Sequence, residues 1–265
     1  MEATMQDFIL YNAPQSTCSQ RVRYVLHAKG LAFAEHKLDL FTGDQLKPEY
    51  LAINPNGVVP SLVHQGRAVT DSAVIMEYLE DILPGAFRPR DAFGAAKMRA
   101  MMRFIDEVLT PAIRVPSYNL AFLPHYQAMT AEEFQAVCDA KPLRREFLMK
   151  MGRTGFPEQE MNEALGRLQR GVQRMASWLS DNGGPWIMGD EMTLADIAVM
   201  PVIVRMEDIG LSSMWTEAPA IQRWLDAIRA TDAFTETYYY GSLLTEKYPH
   251  LRSAKPELRV SQSGQ

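Results

Sequence analysis

At 265 residues, with 47% hydrophobic and 22% charged side chains, the chain can bury an ordinary globular core as one large domain or two smaller ones. A formal net charge of −5 argues against a nucleic-acid or anionic-membrane surface, and no apolar run approaches the roughly 18 residues of a membrane span. The cysteines, Cys18 and Cys138, form no CxxC or zinc-ligand pattern and the five histidines are scattered, so neither a disulfide scaffold nor a metal site is expected.

The opening MEATMQD has no basic segment followed by an apolar one, so no secretory signal is read and the reducing cytoplasm is the expected compartment. Residues 8–11 (FILY) form a short apolar run bounded by Asn12 and Pro14, which reads as a strand. Cys18, Val22, Val25 and Leu26 then recur at i, i+4, i+7 and i+8, one face of a helix that Gly30 stops. The Ser16-Thr17-Cys18-Ser19 cluster therefore lies at a strand-to-helix junction, beside free amides and the partial positive charge of a helix N-terminus. Such a place stabilises an anion. Cys18 shares the apolar stripe, which favours a structural or site-adjacent thiol over a reactive one.

Residues 33–40 (FAEHKLDL) partly alternate, with Ala34, His36, Leu38 and Leu40 expected on the covered side of a strand. Residues 41–60 are irregular, marked by Gly43, Pro48 and the NPNG turn. Segments 61–63 and 67–70 read as a hairpin. A helix opens at Asp71 or Ser72, carries Val74, Ile75, Tyr78, Leu79, Ile82 and Leu83 as a wide stripe, and stops before Pro84. Residues 1–84 are thus expected as a small α/β layer unit of order βαβ-ββα.

Residues 85–92, which carry Gly85 and Pro89 directly after Pro84, read as a linker. Strand signals then nearly vanish, and residues 93–245 are expected to be all-helical. A helix over 93–108 should end near Pro111, and 114–127 should be bent or broken by its prolines. Thr130 and Glu133 have capping-box spacing, and Leu165, Leu168, Val172, Met175 and Leu179 mark a strongly amphipathic helix. Thr193 and Asp196 form a second capping box before a run that is apolar all round, which predicts a central, buried helix. Ile221, Trp224, Leu225 and Ile228 mark a further helix, and 246–265 reads as a polar tail draped on the surface or mobile.

STCSQRVR, NPNGVVPSLV, the Asp71-Ser72 pair and GDEMTLADI, in that order and spacing, resemble the cytosolic glutathione transferases. The first motif looks most like the zeta-type SSCS-W-RVR pattern of the serine-type members. Taken singly these motifs are a helix cap, a turn and an N-cap; their joint placement in one small unit is what points to a site. The resemblance implies a thioredoxin-like N-terminal domain, an all-α C-terminal domain, glutathione as co-substrate and a homodimer.

Residue by residue, the resemblance implies Ser16 as the hydroxyl that stabilises the glutathione thiolate. Thr17 is the theta-like alternative and Cys18 the rival thiol. It implies a cis bond at Val59-Pro60, with the Val59 backbone pairing the cysteinyl unit. Asp71 and Ser72 would hold the γ-glutamyl carboxylate, and Gln45 would sit near the glycyl end. Asp106 would reach the glutathione amine of a partner subunit, as an acid there does in some relatives. Tyr118, Phe122 and Tyr126 are candidates for an aromatic acceptor pocket between the domains, with helical core as the even alternative.

The activity so implied is thiolate attack on a small, aromatic electrophile. RTGFPEQEMNEALGRL also resembles the bacterial β-aryl-etherases, so ether cleavage is a second expectation. Maleyl-type isomerisation ranks lower, because Arg114 is the one basic residue that suits a diacid. A thiol-disulfide reductase using Cys18 and a non-catalytic glutathione-transferase-like module complete the alternatives.

Overall fold

A computed structural model of the chain describes residues 8–85 and 87–253. Its first elements are β1 (Phe8–Asn12), α1 (Thr17–Ala28) and β2 (Ala34–Lys37). An irregular stretch follows, with the one-turn helix α2 (Pro48–Leu51), and then β3 (Ser61–His64), β4 (Arg67–Thr70) and α3 (Ser72–Ile82). The four strands form one sheet of order β2-β1-β3-β4, in which β1 runs parallel to β2 and antiparallel to β3. Phe8, Leu10 and Asn12 alternate into the buried face of β1, and Leu62 lies opposite Leu10.

Two details differ from the sequence reading. In β2 the more covered residue is Glu35, while Ala34 and His36 are exposed. This is an edge strand, and its inner side is polar: Glu35 accepts from Asn12 Nδ2 at 3.1 Å and Tyr239 Oη at 2.6 Å. In α3 the wide stripe splits. Ile75, Met76 and Leu79 are buried, whereas Val74, Ile82 and Leu83 remain exposed on a flank that no other described residue covers.

The helical part begins with α4 (Ala92–Phe104), which runs without a break through α5 (Thr110–Ser117) into α6 (Leu123–Gln127). The end expected near Pro111 does not occur, and 114–127, expected to be bent or broken, stays helical with a change of turn at Tyr118–Phe122. Two π-helical turns, Ile105–Leu109 and Tyr118–Phe122, join the three pieces. Proline lacks an N–H and its ring crowds the carbonyl four residues back. Widening the turn to i→i+5 relieves that conflict: Thr110 N–H bonds Ile105 C=O just before Pro111, and Leu123 N–H bonds Tyr118 C=O just before Pro124.

The chain continues through α7 (Ala131–Asp139), α8 (Arg145–Met151), α9 (Glu158–Asn182) and α10 (Leu194–Asp208). It ends in α11 (Pro219–Arg229), α12 (Asp232–Thr237), α13 (Leu244–Lys247) and α14 (His250–Ser253). The Thr130–Glu133 box caps α7 as expected, and the full apolar stripe of α9 is buried. The central helix α10 is buried from Leu194 through Met206. The expected polar tail is partly folded down: Leu251 is buried, and the Tyr248 ring meets Phe122 at 5.5 Å. The remainder of that tail, 254–265, lies outside the described residues.

One core joins the sheet to the helices, from Leu10 and Leu79 through Met98 to Trp224. A smaller cluster gathers Tyr126, Phe134, Cys138 and Phe156, which makes Cys138 a fully buried packing residue. Asp196, within the GDEMTLADI motif, ties the start of α10 to the loop before it and to α11. It accepts from Ile187 N–H and Trp224 Nε1, both at 2.9 Å, and from Thr193 N–H and Oγ1. Asp196→Asn keeps the shape but turns one acceptor into a donor that faces donors. It is expected to cost about 2 kcal/mol in chemical denaturation; a loss below about 0.5 kcal/mol would show that this network contributes little.

Candidate active site

The strand-to-helix loop after β1 is fixed before any ligand arrives. Ser16 is the N-cap of α1: its Oγ accepts the Ser19 N–H at 3.3 Å, and its own N–H bonds the Ala13 carbonyl at 3.0 Å. Arg23, fully buried, donates to the carbonyls of Ala13, Pro14 and Thr237 and to Asn12 Oδ1. Arg205 donates to the Gln15 carbonyl at 2.6 Å. Sequence reasoning missed both. The available signal was a helix carrying Gln20, Arg21 and Arg23 beside its apolar stripe, a set that is too polar for a solvent-covered face to be assumed and is here buried throughout.

Arg21 is the third buried guanidinium of this region. Its Nε donates to the Ala198 carbonyl at 2.8 Å, Nη2 to Thr110 Oγ1 at 2.9 Å, and Nη1 to Asp106 and Ser72. Asp106 is thereby an intramolecular partner of Arg21.

Ser16, Thr17 and Cys18 open into a cleft of about 170 Å³ between the sheet unit and the α5–α6 run. Cys18 is half-buried on this cleft rather than sealed in the core beneath Val22, Val25 and Leu26. It sits on the first turn, beyond the reach of the sheet that covers the later turns. Gln45 and Val59 line the same cleft from the sheet side. Gln45 is buried, with Nε2 donating to the Leu40 carbonyl at 3.3 Å and Oε1 lacking a donor among the described residues. The Val59-Pro60 bond is cis. Neither the amide nor the carbonyl of Val59 is engaged by another described residue.

Asp71, Ser72 and Pro60 lie outside the cleft walls. Asp71 adopts φ 73° and caps α3 by accepting from Ala73 and Val74 N–H. Ser72 is buried at the start of α3, turned toward Arg21.

Tyr118, Phe122 and Tyr126 do reach the cleft, and Phe41 joins them from the sheet side. Tyr118 and Phe122 meet edge-on at 4.8 Å, and Phe41 and Phe122 at 5.4 Å. Tyr126 is only 2% exposed and belongs to the smaller core cluster, so it backs the wall more than it faces the cavity. The π-helical turn at Tyr118–Phe122 sets the spacing of this wall.

The cleft is basic in an acidic protein. Arg114, Lys141, Arg144 and Arg205 line it, with no Asp or Glu among its described lining residues. The sequence reading found only Arg114, because α5, the turn before α8 and α10 are far apart in the chain. Burial first, and then the charge of Arg144, pushes the Arg114 guanidinium below its ordinary range, with Tyr118 and Cys18 acting the other way. Burial likewise lowers the Lys141 ammonium. Among the described residues, no group of three or more His, Cys, Asp or Glu side chains is placed to hold a metal ion, and no helix is long and apolar enough to cross a membrane.

Residues 15–82 match the glutathione S-transferase N-terminal domain family, and residues 140–232 match the C-terminal domain family. The chain is 31% identical over 223 residues to glutathione S-transferase 1 of Dianthus caryophyllus, covering 84% of this chain and 87% of that one. It is 29% identical over 238 residues to Protein LigF of Sphingobium sp., covering 86% and 92% of the two chains. The crystal structure of that beta-etherase superposes with a TM-score of 0.79 at 28% identity, over 88% of this chain and 98% of that one. Maleylacetoacetate isomerase of Pseudomonas aeruginosa is 28% identical over 236 residues, 86% of this chain and 94% of its own.

Proposed function

The chain belongs to the glutathione S-transferase family, and on that premise we propose that it ionises the glutathione thiol at the first turn of α1 for attack on a small aromatic electrophile. The observation that carries the reading is the bonding of Ser16. Its Oγ accepts the Ser19 N–H, which leaves the hydroxyl proton to donate into the cleft. A free thiol near pKa 8.5 is only a few per cent thiolate at neutral pH. A hydroxyl donor and a helix N-terminus favour the anion, and each unit of lowering is worth about 1.4 kcal/mol.

The same cleft offers the means to hold the tripeptide. The open amide and carbonyl of Val59 suit pairing with the cysteinyl unit, and the free Gln45 Oε1 suits an amide N–H near the glycyl end. At the start of α3, outside the walls of that cleft, Asp71 occupies the Ala73 and Val74 amides and the Ser72 hydroxyl turns toward Arg21, so the Ser72 N–H is the donor left for the γ-glutamyl carboxylate. The aromatic wall of Tyr118 and Phe122, backed by Tyr126, suits an aryl acceptor.

The shared fold and coverage with the beta-etherase LigF favour an aryl ether as that acceptor. The thiolate would attack the carbon bearing the aryloxide, the S–C bond forming as the C–O bond breaks. The aryloxide leaves and takes a proton from solvent. Cys18, on the same cleft, supports a second reading as a thiol-disulfide reductase, which mass-spectrometric detection of a Cys18–glutathione mixed disulfide during turnover would favour.

Titration of bound glutathione by its ultraviolet thiolate absorbance tests the first reading. The bound thiol is expected to ionise at least about one unit below the free one. An unshifted titration with glutathione bound would overturn it.

The active protein is a homodimer in this reading. Exposed Val74, Ile82 and Leu83 on α3 and Phe93 on α4 are the apolar surface that a second copy would cover. Light scattering should return twice the 29.9 kDa of one chain, and a single-chain mass would remove the dimer from the scheme.

A further inference from the structure

We propose that the acceptor carries a carboxylate and that Arg114 and Arg144 anchor it at the helical side of the cleft. The inference rests on the glutathione-dependent reading above and names the class of its second substrate: an arene bearing an acid group.

This protein meets its buried cations with acids or with several acceptors. Arg21 has Asp106, Lys29 has Glu80, and Arg205 lies 3.9 Å from Asp208. Arg23, without an acid, is met by three carbonyls and Asn12 Oδ1; Arg114 and Arg144, on the cleft, have no such set among the described residues. The Arg114 guanidinium makes no hydrogen bond or ion pair with a described residue and lies over the Phe147 ring at 5.7 Å from the centroid. Among the described residues the Arg144 guanidinium donates only to the adjacent Leu143 carbonyl, at 3.2 Å. Both line the same cleft, and the charge of Arg144 disfavours that of Arg114. Like charges drawn together on a partly desolvated wall are unfavourable unless an anion joins them. A planar carboxylate matches the donor fork of a guanidinium better than any neutral group does.

Glutathione is itself an anion, so its own carboxylates are the rival occupants. Geometry separates the two. Lys141 donates to the Leu40 carbonyl that also receives Gln45 Nε2, which places Lys141 with the tripeptide's side of the cleft. Arg114 stands on α5 one turn before Tyr118, so it shares the helix face that carries the aromatic wall. An arene stacked there would present a ring carboxylate toward Arg114 and Arg144.

The test uses the full chain and two probes of one shape, 4-phenoxybenzoate and its methyl ester. Each is titrated calorimetrically with and without S-methylglutathione, whose blocked thiol prevents turnover. The acid is expected to bind at least about tenfold more tightly than the ester. Arg144→Met, a substitution at a half-exposed position, should remove most of that preference while leaving ester and S-methylglutathione affinities within about twofold. Equal affinities for acid and ester in the unaltered protein would overturn the assignment. So would an Arg144→Met variant that loses S-methylglutathione binding and keeps the acid preference, since the arginine would then serve the tripeptide. Failure of S-methylglutathione to bind at all would instead defeat the glutathione reading, whichever probe bound better.

Discussion

Ser16→Ala is expected to lower turnover about ten- to a thousandfold while leaving glutathione affinity close to that of the unaltered protein. The loss falls on the chemical step because the hydroxyl is asked to stabilise charge on sulfur, and the contacts proposed for the tripeptide at Val59, Gln45 and Ser72 are left untouched. The bound thiol should ionise correspondingly higher in the same titration. The substitution also removes the N-cap bond to Ser19, at a cost of about 1 kcal/mol in folding stability. Denaturation measured beside kinetics therefore separates a folding defect from a catalytic one. If Ser16→Ala keeps its rate and Thr17→Ala loses it, the role moves one residue along α1, because both hydroxyls line the cleft. If neither matters, the hydroxyl mechanism is wrong.

Arg21→Met is expected to destabilise the fold by about 3 to 5 kcal/mol, the range for removing one partner of a buried charged network. Four groups lose their donor together: the Ala198 carbonyl on α10, Thr110 on α5, Asp106 on the intervening π-helical turn, and Ser72 at the head of α3. Asp106 remains 30% exposed and can rehydrate, which favours the lower half of the range. The other three are buried and cannot. Arg21→Lys should recover little, since an ammonium on a flexible stem cannot meet four acceptors set out for a planar fork. Urea denaturation measures both. A loss under about 1 kcal/mol for Arg21→Met would show that solvent replaces the network and that the apolar core alone couples sheet to helices.

Much of the architecture was legible because it is local. The apolar spacing of α1, α3, α9 and α11, the capping boxes at Thr130 and Thr193, and the β3–β4 hairpin each depend on residues within a few positions of one another. The family motifs likewise lie in short stretches, and the cis Val59-Pro60 bond followed from them. The errors also share one cause. Proline chemistry predicts a stop at Pro111, and only the packing of α4–α6 against α9 and α10 makes a widened turn worth its poorer hydrogen bonds. Glu35 turning inward depends on Tyr239, some two hundred residues away.

Sequence alone therefore determined the element order, the opening turn of α1 with Ser16 as its cap, and the membership that its motifs suggested, because each is written in neighbouring residues. Tertiary structure alone decided what faces Ser16. It set Cys18 on the cleft, drew Asp106 onto Arg21, and gathered Arg114, Lys141, Arg144 and Arg205 around one cavity. Charges brought together from distant segments leave no periodic trace in the chain, since nothing local constrains them; only the folded backbone places them within reach of one another.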